Sequence, residues 1–552
     1  MNATSFDFSP LPIFVGITGH RDIPLKAVSE LEGRITSQLL RLQKQYPHCP
    51  VIVFSPLAEG ADRIGARAAL NTGCSLHVPL PMEREEYEKD FDEISRKEFS
   101  ELLSRSDAVF VVAASEDPPD SPPRGYFYRQ IGLYIAKHAH VLIALWDGTE
   151  RLYPEGGGTF ETVSFMRGEK GIICHIPTPR LSSPNTTLPD MVPDIPKDKR
   201  LITIEEYNRA LKKEREELTE AATINKPYVV DAETEKLLTP GSTKLLNTFL
   251  YADALSVKYR NLKLLTLRLL SVLGLLLVLS FLLYDEMESD LMLVVYGAVI
   301  CAAAVIYFIS IRRAFHEKYI IYRALAEALR VQLYWGMSNF SEDVYEHYTY
   351  TQKSELDFVR YVLRSLKAGP SANERNDNEV KISPDRIFQL WINGQYDYHS
   401  VSAFKKGKQE RRNTSTAKLM FILSILLFIL VVIVELFFKA SAEKAVPFSD
   451  TIRKFLLMHE GQMVIWRGII KIILGVISGA TAFLANYYGS LSLPQQIFNS
   501  TRMRSLFKSA LSIDTQDDVL FAETMRMIGR ESLIESGAWY VMQLENTQKL
   551  FI

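Results

Sequence analysis

The sequence has little cysteine and almost no net charge. Its 552 residues contain four cysteines, none of them in a CxxC pair, and the formal net charge is −2. Neither a disulfide framework nor a cysteine zinc site is therefore expected. A near-neutral chain that is 47% hydrophobic also excludes a disordered chain and a basic tail that binds nucleic acid, so no nucleic-acid partner is expected.

Several catalytic and targeting signatures are also missing. The chain contains no P-loop GxxxxGK[ST], no HExxH and no catalytic-triad spacing. Residues 1–12 are polar, and no signal peptide is apparent there. We therefore expect no metal and no resident cofactor, and we expect the soluble part to lie in the cytosol.

Long apolar runs are concentrated in the second half of the chain. There are four of them, at residues 264–284, 291–311, 419–438 and 469–488. Each is close to the roughly 20 helical residues that cross a hydrocarbon core of about 30 Å. Buried helices of a large soluble protein are the alternative, but such helices seldom lack a polar stripe. The sequence therefore predicts four transmembrane helices.

Lysine and arginine indicate how these helices are oriented. They cluster before the first and third spans and after the second and fourth, and such clusters are typical of cytoplasmic flanks. The connection over residues 285–290 is acidic, whereas the connection between spans three and four has mixed charge. We expect both termini in the cytoplasm and a multi-pass protein of the bacterial inner membrane.

Charged residues are costly inside a membrane span, and small residues there indicate close helix packing. Glu435 and Lys471 either pair with each other or extend towards the outer membrane interface. Small residues suit close helix contact, and they lie on spans four and two: Gly475, Gly479, Gly297, Ala298 and Ala302. A homo-oligomer in the lipid bilayer is expected.

The first 180 residues alternate short β-branched runs with helical patterns. Strands are predicted at 14–18, 51–54, 75–79, 108–113 and 141–146. Alternation of this kind favours a parallel sheet with helices on both faces. The predicted fold class is α/β, with an N-terminal Rossmann-like doubly wound parallel sheet and a C-terminal all-α membrane domain whose four spans have long cytosolic helical extensions.

Composition divides the chain into four predicted parts. Residues 1–180 form a nucleotide-binding head, and residues 181–260 form a loop and helical linker that includes one charged helix over 204–218. Residues 261–370 contain the first transmembrane hairpin with its cytosolic helix. Residues 371–552 contain the second hairpin and a helical tail.

Turns with phosphate-binding chemistry follow several strands of the head. Ligands of such sheets lie at the carboxyl ends of the strands, where glycine lets backbone N–H groups approach phosphate. Thr18 offers a hydroxyl, Arg21 a two-pronged phosphate contact, and Asp62 a partner for a ribose hydroxyl or a helix cap. Glycine turns also simply end strands, and a lone histidine is more often packed than functional. The candidate ligand-binding residues are Gly16, Thr18, Gly19, His20, Arg21, Glu59, Gly60, Ala61, Asp62, Arg63, Gly157, Gly158 and Thr159.

The sequences of these turns resemble those of a known protein superfamily. The matching pieces are VGITGHR at 15–21, GADR at 60–63, LPMEREEYEKDF at 80–91 and GGT at 157–159. Over residues 10–180 the head is similar to the SLOG superfamily, which includes the DprA and lonely-guy proteins and the head of TRPM channels. The resemblance implies a Rossmann-like fold that holds a nucleotide or a nucleotide-derived signal.

One position departs from the lonely-guy enzymes of that superfamily. Those enzymes carry a catalytic glutamate three residues after the threonine of PGGxGTxxE, where this chain has Thr162. Glu161 comes one place earlier, and on a helix it would face about 100° away. Binding without turnover is therefore favoured. A membrane-tethered nucleotide or NAD hydrolase stays open as an alternative, with Glu59, Asp62 and Glu161 as its candidate acids.

The membrane half also resembles a family. The AExxR run at 326–330, which follows a pair of spans, and the ExxxW run at 535–539 are similar to the SLATT membrane effectors of bacterial conflict systems. That resemblance implies a pore-forming effector. The predicted function is a sensor of a nucleotide-derived second messenger that permeabilises the membrane in antiphage defence by abortive infection. A constitutive channel or transporter with a regulatory head is the other alternative.

Overall fold

The computed structural model describes residues 9–114, 121–152, 156–182, 194–287, 289–340, 342–369, 382–442 and 460–546. The chain forms two compact units. The first comprises Met1–Ala252 and Ala324–Ser383, and the second comprises Asp253–Arg323 and Pro384–Ile552. The first unit contains a parallel sheet and the second is helical, which confirms the predicted fold class.

The sheet has six parallel strands among the described residues. They are β1 Ile13–Gly19, β2 Val51–Phe54, β3 Ser75–Leu80, β4 Ala108–Val111, β5 Val141–Trp146 and β6 Ile172–Pro177. Their order across the sheet is β4-β3-β2-β1-β5-β6. Central strands such as β5 are buried along their whole length, as expected where helices cover both faces. Five strands lie where the sequence predicts them, and β6 was not predicted.

Helices connect the strands and continue beyond the sheet. The connecting helices are α1 Leu25–Gln45, α2 Ala61–Asn71, α3 Arg84–Tyr87, α4 Glu93–Ser104, α5 Arg124–His138 and α6 Thr159–Gly168. After the sheet come α7 Lys199–Lys213, α8 Arg215–Asn225 and α9 Ala232–Glu235. The predicted single helix over 204–218 is wrong, because Glu214 leaves helical geometry, with φ −117° and ψ 23°, and separates α7 from α8.

The remaining helices include long apolar segments. They are α10 Pro240–Met287, α11 Asp290–Arg312, α12 Phe315–Met337, α13 Tyr350–Glu355, α14 Asp357–Leu366, α15 Pro384–Phe388, α16 Gly394–Ala442, α17 Glu460–Ser490, α18 Leu493–Ala510 and α19 Asp518–Asn546. In the part of the chain that the structure describes, four helical segments are long and apolar enough to cross a membrane: Pro240–Met287, Asp290–Met337, Pro384–Val434 and Val464–Ala510. Each overlaps one predicted span. Their orientation stays a prediction.

Helix α14 covers part of the sheet unit although it follows two of the spans. All ten of its residues are buried or nearly so, because its apolar face packs against α5 and α7. The Nδ1 atom of His138 donates to the carbonyl oxygen of Arg364 at 2.9 Å, and Arg364 also pairs with Glu169 at 2.5 Å. Residues 324–370 were predicted to belong with the first hairpin, whereas the structure assigns Ala324–Ser383 to the first unit.

The two glycines of the GxxxG spacing in the fourth span pack against another helix of the same chain. Gly475 and Gly479 face α10, where a Cβ atom at Gly479 would lie 3.2 Å from the side chain of Val278 and one at Gly475 would overlap Leu282. Small residues therefore let α17 approach α10 closely, as in other membrane helix pairs. By contrast, a Cβ atom at Gly297 on the second span would have no neighbour within 4 Å among the described residues.

The charged residue of the fourth span pairs with the first span. Lys471 Nζ lies 3.6 Å from Glu286 Oε1, near the end of α10. The expected alternatives for Lys471 were pairing with Glu435 or extension towards the interface. The side chain of Glu435 lies outside the described residues, so that pairing stays a prediction. Within the second unit, the Lys471–Glu286 pair adds a polar contact to the glycine packing of α10 on α17.

This packing predicts opposite effects of alanine at two glycines. A Cβ atom at Gly274 on α10 would overlap the Phe483 ring of α17. Gly274→Ala should therefore lower the free energy of unfolding by about 1–3 kcal/mol, the usual cost of overpacking. Gly297→Ala should be neutral or stabilising, because alanine favours the helix by about 1 kcal/mol over glycine. Thermal unfolding of both full-length variants in detergent checks this, and equal midpoints would contradict the observed packing.

Candidate functional site

A cavity of about 800 Å³ opens in the first unit at the carboxyl ends of β1 and β5. The order of the strands reverses between these two neighbours, since β2, β3 and β4 lie on one side of β1 and β5 and β6 lie on the other. The loops that leave β1 and β5 diverge there and leave a crevice, which is where open α/β sheets hold their ligands. The cavity is lined by the turn after β1, the start of α2, residues of α5, the loop before α6 and the segment after β6.

Eight of the thirteen predicted ligand-binding residues line this cavity. They are Thr18, Gly19, His20, Arg21, Asp62, Gly157, Gly158 and Thr159. They come from three separate turns, so the structure brings the turns together as the prediction requires. The other five, Gly16, Glu59, Gly60, Ala61 and Arg63, lie outside the cavity lining and make packing contacts. Ligand binding by any of them stays a prediction.

Two of the predicted glycines have structural reasons to be glycine. A Cβ atom at Gly16 would overlap Ile135 of α5, so Gly16 lets that helix approach β1. Gly60 has a φ of +77°, and a Cβ atom there would lie 2.6 Å from the carbonyl oxygen of Arg21. Next to it, the N–H of Ala61 donates to the carbonyl oxygen of His20 at 3.0 Å. These residues shape the turn that presents His20 and Arg21.

The charged side chains of Glu59 and Arg63 form hydrogen bonds and ion pairs with neighbouring parts of the sheet unit. Arg63 is 3% exposed, its Nε donates to the carbonyl oxygen of Leu57 at 3.1 Å, and its Nη1 donates to Glu98 at 2.9 Å. Glu59 accepts a hydrogen bond from the hydroxyl of Ser95. Both side chains therefore anchor the β2–α2 turn to α4 and neighbouring backbone.

His20 and Asp147 form the floor of the crevice. The Nε2 atom of His20 lies 3.0 Å from the backbone nitrogen of Asp147 and 3.1 Å from its Oδ1. Burial lowers the pKa of His20, Arg180 lowers it further, and Asp147 acts in the opposite direction. The net lowering favours the neutral ring at pH 7, in which Nε2 accepts from the N–H of Asp147. Once protonated, the same nitrogen would donate to the carboxylate.

Two arginines line the cavity in different settings. The Arg21 guanidinium lies 5.0 Å from the centre of the Tyr128 ring, a distance typical of cation–π contact. Arg180 Nε donates to Asp22 Oδ1 at 2.8 Å, and its Nη1 lies 3.8 Å from Asp147 Oδ2. Anionic groups of a ligand would compete with these carboxylates for Arg180, whereas Arg21 is exposed at the mouth.

The glycine loop before α6 has a backbone conformation that favours glycine. Gly156, Gly157 and Gly158 have φ values of +80°, +79° and +135°. The N–H of Gly157 donates to Glu161 Oε2 at 2.6 Å, and Glu161 also pairs with Arg129. The carboxylate of Glu161 reaches back from the third helical position to cap the loop, as acids in that position often do, and it lies outside the cavity lining.

Asp62 is the candidate acid that lines the cavity. Of the three acids proposed for a hydrolase, Glu59 and Glu161 make the contacts described above, and Asp62 is nine-tenths buried at the cavity wall. Burial raises the pKa of Asp62 to about 7, although Arg21 and the backbone N–H of Ala58 lower it. A buried carboxyl that is partly protonated at neutral pH is a common feature of functional sites.

Several lining residues were not predicted from the sequence. They include Asp22, Tyr128, Asp147, Arg151 and Arg180. Asp147 directly follows β5, so the rule that predicted the other turns would also have identified it. Arg180 follows β6, whose short run IICHIP was not recognised as a strand. The missing strand therefore explains the missing arginine.

Comparison with known proteins gives one weak structural similarity and no sequence match. No protein-family model matches the sequence, and no curated protein matches it. Among solved structures, the N-terminal region is similar to DNA processing protein A (DprA) from Streptococcus pneumoniae, at 17% sequence identity and a TM-score of 0.21, over 31% of this chain and 52% of that chain. So low a TM-score carries no argument about function. The resemblance of the membrane half to the SLATT family stays a prediction.

The raised pKa of Asp62 predicts how stability depends on pH. Between pH 3.8 and about 7 the folded state holds a proton on Asp62 that the unfolded state has lost, so this residue lowers stability progressively as pH rises. Asp62→Asn removes that effect. Its stability gain over the wild type should grow by roughly 2.5 kcal/mol from pH 5 to pH 8, at about 1.4 kcal/mol per pKa unit.

Thermal unfolding of the full chain in detergent at both pH values measures this gain. Glu85→Gln is the matched control, because Glu85 is an exposed carboxylate of the same unit. A gain for Asp62→Asn that is independent of pH would show that the carboxyl of Asp62 ionises normally.

Proposed function

We propose that the sheet unit binds an anionic, nucleotide-derived ligand in the cavity between the ends of β1 and β5. The observation that carries this proposal is that Arg21, Arg180 and the start of α6 at Thr159 line one crevice at the reversal of strand order. Arginine and a helix N-terminus both favour phosphate. A cavity of about 800 Å³ is also within the range of small-molecule sites.

The lining residues suit the separate parts of a nucleotide. Arg21 and Arg180 would contact phosphate oxygens, and the Thr18 and Thr159 hydroxyls would donate to them. Asp147 would accept from a sugar hydroxyl. The Tyr128 ring, which already lies against Arg21, offers a flat surface for a base. This assignment combines a few polar groups with aromatic surface, as small-molecule sites commonly do.

The same chain carries four candidate membrane spans, which supports a sensor joined to an effector. In this proposal, ligand binding in the sheet unit shifts a homo-oligomer in the bacterial inner membrane towards a permeabilising state, with both termini in the cytoplasm. The biological setting would be antiphage defence by abortive infection, in which the ligand is a second messenger. Covalent continuity supports the coupling, since α10 and α12 each run unbroken from residues of one unit to residues of the other.

Asp62 favours a second candidate function, a membrane-tethered nucleotide hydrolase. A buried carboxyl with a pKa near 7 at the cavity wall has the proton that a leaving base requires. Hydrolysis would add water across the bond between base and sugar, with Asp62 protonating the base. The two functions share the ligand class and differ in whether product accumulates.

Removal of Arg21 should weaken nucleotide binding. Arg21→Ala deletes a charge-assisted contact, so affinity should fall by roughly 1.5–3 kcal/mol. Calorimetry on the full chain in detergent, with nucleoside monophosphates, NAD and cyclic nucleotides, measures this. Arg105→Ala, an exposed arginine outside the cavity, should leave affinity unchanged. Equal affinity of Arg21→Ala and the wild type would remove Arg21 from the site.

The same incubations separate sensing from hydrolysis. Chromatography of the nucleotides should show no release of base over many protein equivalents if the protein is a sensor. Multiple turnover that is lost in Asp62→Asn but retained in Glu85→Gln would favour the hydrolase instead.

Binding should also control the membrane half. Dye leakage from liposomes that contain the full chain should rise when a nucleotide that binds in calorimetry is added, and Arg21→Ala should need a correspondingly higher concentration. Arg105→Ala should respond like the wild type. Leakage of equal strength without nucleotide would instead favour a constitutive channel.

A further inference from the structure

A group of cationic and aromatic side chains lies in the second unit, at the ends of the first two spans that are rich in lysine and arginine. Lys263 immediately precedes the first span, whose predicted start is residue 264. Its Nζ lies 5.8 Å from the centre of the Tyr319 ring on α12, and the Tyr319 ring meets Trp539 of α19 at 5.6 Å. Lysine beside tyrosine and tryptophan is typical of the level of lipid headgroups.

Positive charge is in excess in this cluster. Its cations are Arg260, Lys263, Arg323 and Lys406, and its acids are Asp253 and Glu535. Arg323 pairs with Asp253 at 3.3 Å, and Glu535 acts electrostatically on Lys406. Arg323 and Arg260 act on Lys406 as like charges. An added anion would offset this repulsion.

Lys263 lies against an aromatic ring and has no carboxylate partner among the described residues. Its side chain is partly buried. A charged amine that is partly withdrawn from water gains most from an anionic partner. An incoming phosphate would therefore supply Lys263 with the anionic partner that it lacks.

His316 supplies a complementary polar atom beside Lys263. Its Nε2 donates to the carbonyl oxygen of Gln543 at 3.0 Å, which leaves Nδ1 as the acceptor of the neutral ring. His316 lies one helical turn before Tyr319 on α12, the residue whose ring faces Lys263. Among the described residues Nδ1 is buried and has no hydrogen-bond partner. An orphaned acceptor beside a cation suits a ligand that carries both a hydroxyl and a phosphate.

We infer that Lys263 and His316 form a binding site for the phosphate and hydroxyl of an anionic headgroup, such as that of phosphatidylglycerol. Lys263 contacts the phosphate, and the Nδ1 atom of His316 accepts from the headgroup hydroxyl. The position next to the first span makes a membrane lipid the source of this phosphate, and free inorganic phosphate is the alternative source with the same chemistry. Basic pockets between helices at the membrane surface bind headgroups in this way.

Native mass spectrometry of the full chain in neutral detergent tests the site. The wild type should retain phosphatidylglycerol in preference to phosphatidylcholine. Lys263→Gln should lower the apparent affinity for phosphatidylglycerol roughly fivefold, the effect expected of one lysine at a membrane surface. Lys418→Gln is the matched control, because Lys418 directly precedes the third span but is exposed, and it should retain the wild-type affinity.

The outcomes separate the two sources of phosphate. A parallel titration uses inorganic phosphate without added lipid. Binding of phosphate that depends on Lys263, without retention of phosphatidylglycerol, would make free phosphate the ligand and overturn the lipid assignment. Equal retention of both lipids, or equal losses for Lys263→Gln and Lys418→Gln, would overturn the site itself. Should Lys263→Gln not fold, Lys263→Met keeps the side-chain stem and carries the same comparison, while Lys263→Arg should retain phosphatidylglycerol.

Discussion

The pairing of β1 with β5 is the constraint on which the site depends. The two strands are parallel neighbours, with Val15 opposite Val141 and Gly19 opposite Leu145. The pairing is extended at its start by His140, whose N–H donates to the carbonyl oxygen of Phe14 while its ring accepts from the N–H of Phe14. More than 120 residues separate the paired segments, and all of β2, β3 and β4 lie between them in the chain. Because both strands end at the same edge, their loops must diverge there, and the crevice follows from that divergence.

The sequence predicts this arrangement to the extent that local patterns determine it. Short β-branched runs and the turns after them were sufficient for five strands and for the residues that line the crevice at Thr18, Arg21 and Asp62. At Gly16, Gly60 and Arg63 the same residue types also have structural roles, because close packing requires glycine and a buried ion pair uses arginine. Position in space could not be predicted for Arg180, since it depends on β6. The docking of α14 on the sheet is likewise a tertiary effect, and its amphipathic pattern alone does not say which surface it covers.

The charged groups in the crevice are largely paired with one another, which limits how strongly the proposed anionic ligand could bind. Arg180 is held by Asp22 and Asp147, the N–H of Gly157 is held by Glu161, and Asp62 lowers its own cost of burial by retaining a proton. Arg180 and the N–H of Gly157 therefore already have carboxylate partners, whereas the Arg21 guanidinium lies against an aromatic ring. An incoming anion gains only the difference between its contacts and the carboxylate contacts it replaces. Affinity in such a site depends strongly on how far those carboxylates relax.

The two long helices limit how the proposed switch can work. A ligand shifts an equilibrium only by its differential affinity for two states, so some feature of the membrane half must differ between them. Helix α10 passes from the first unit to the second at Ala252–Asp253, and α12 passes back at Arg323–Ala324, both without a break in helical structure. Neither boundary is a glycine-rich hinge, and each would cost backbone hydrogen bonds to bend sharply. Small translations or rotations of whole helices therefore require less free energy than bending them. Such movements would act first on the packing of α10 against α17, where Gly274, Gly475 and Gly479 leave little room for a second register.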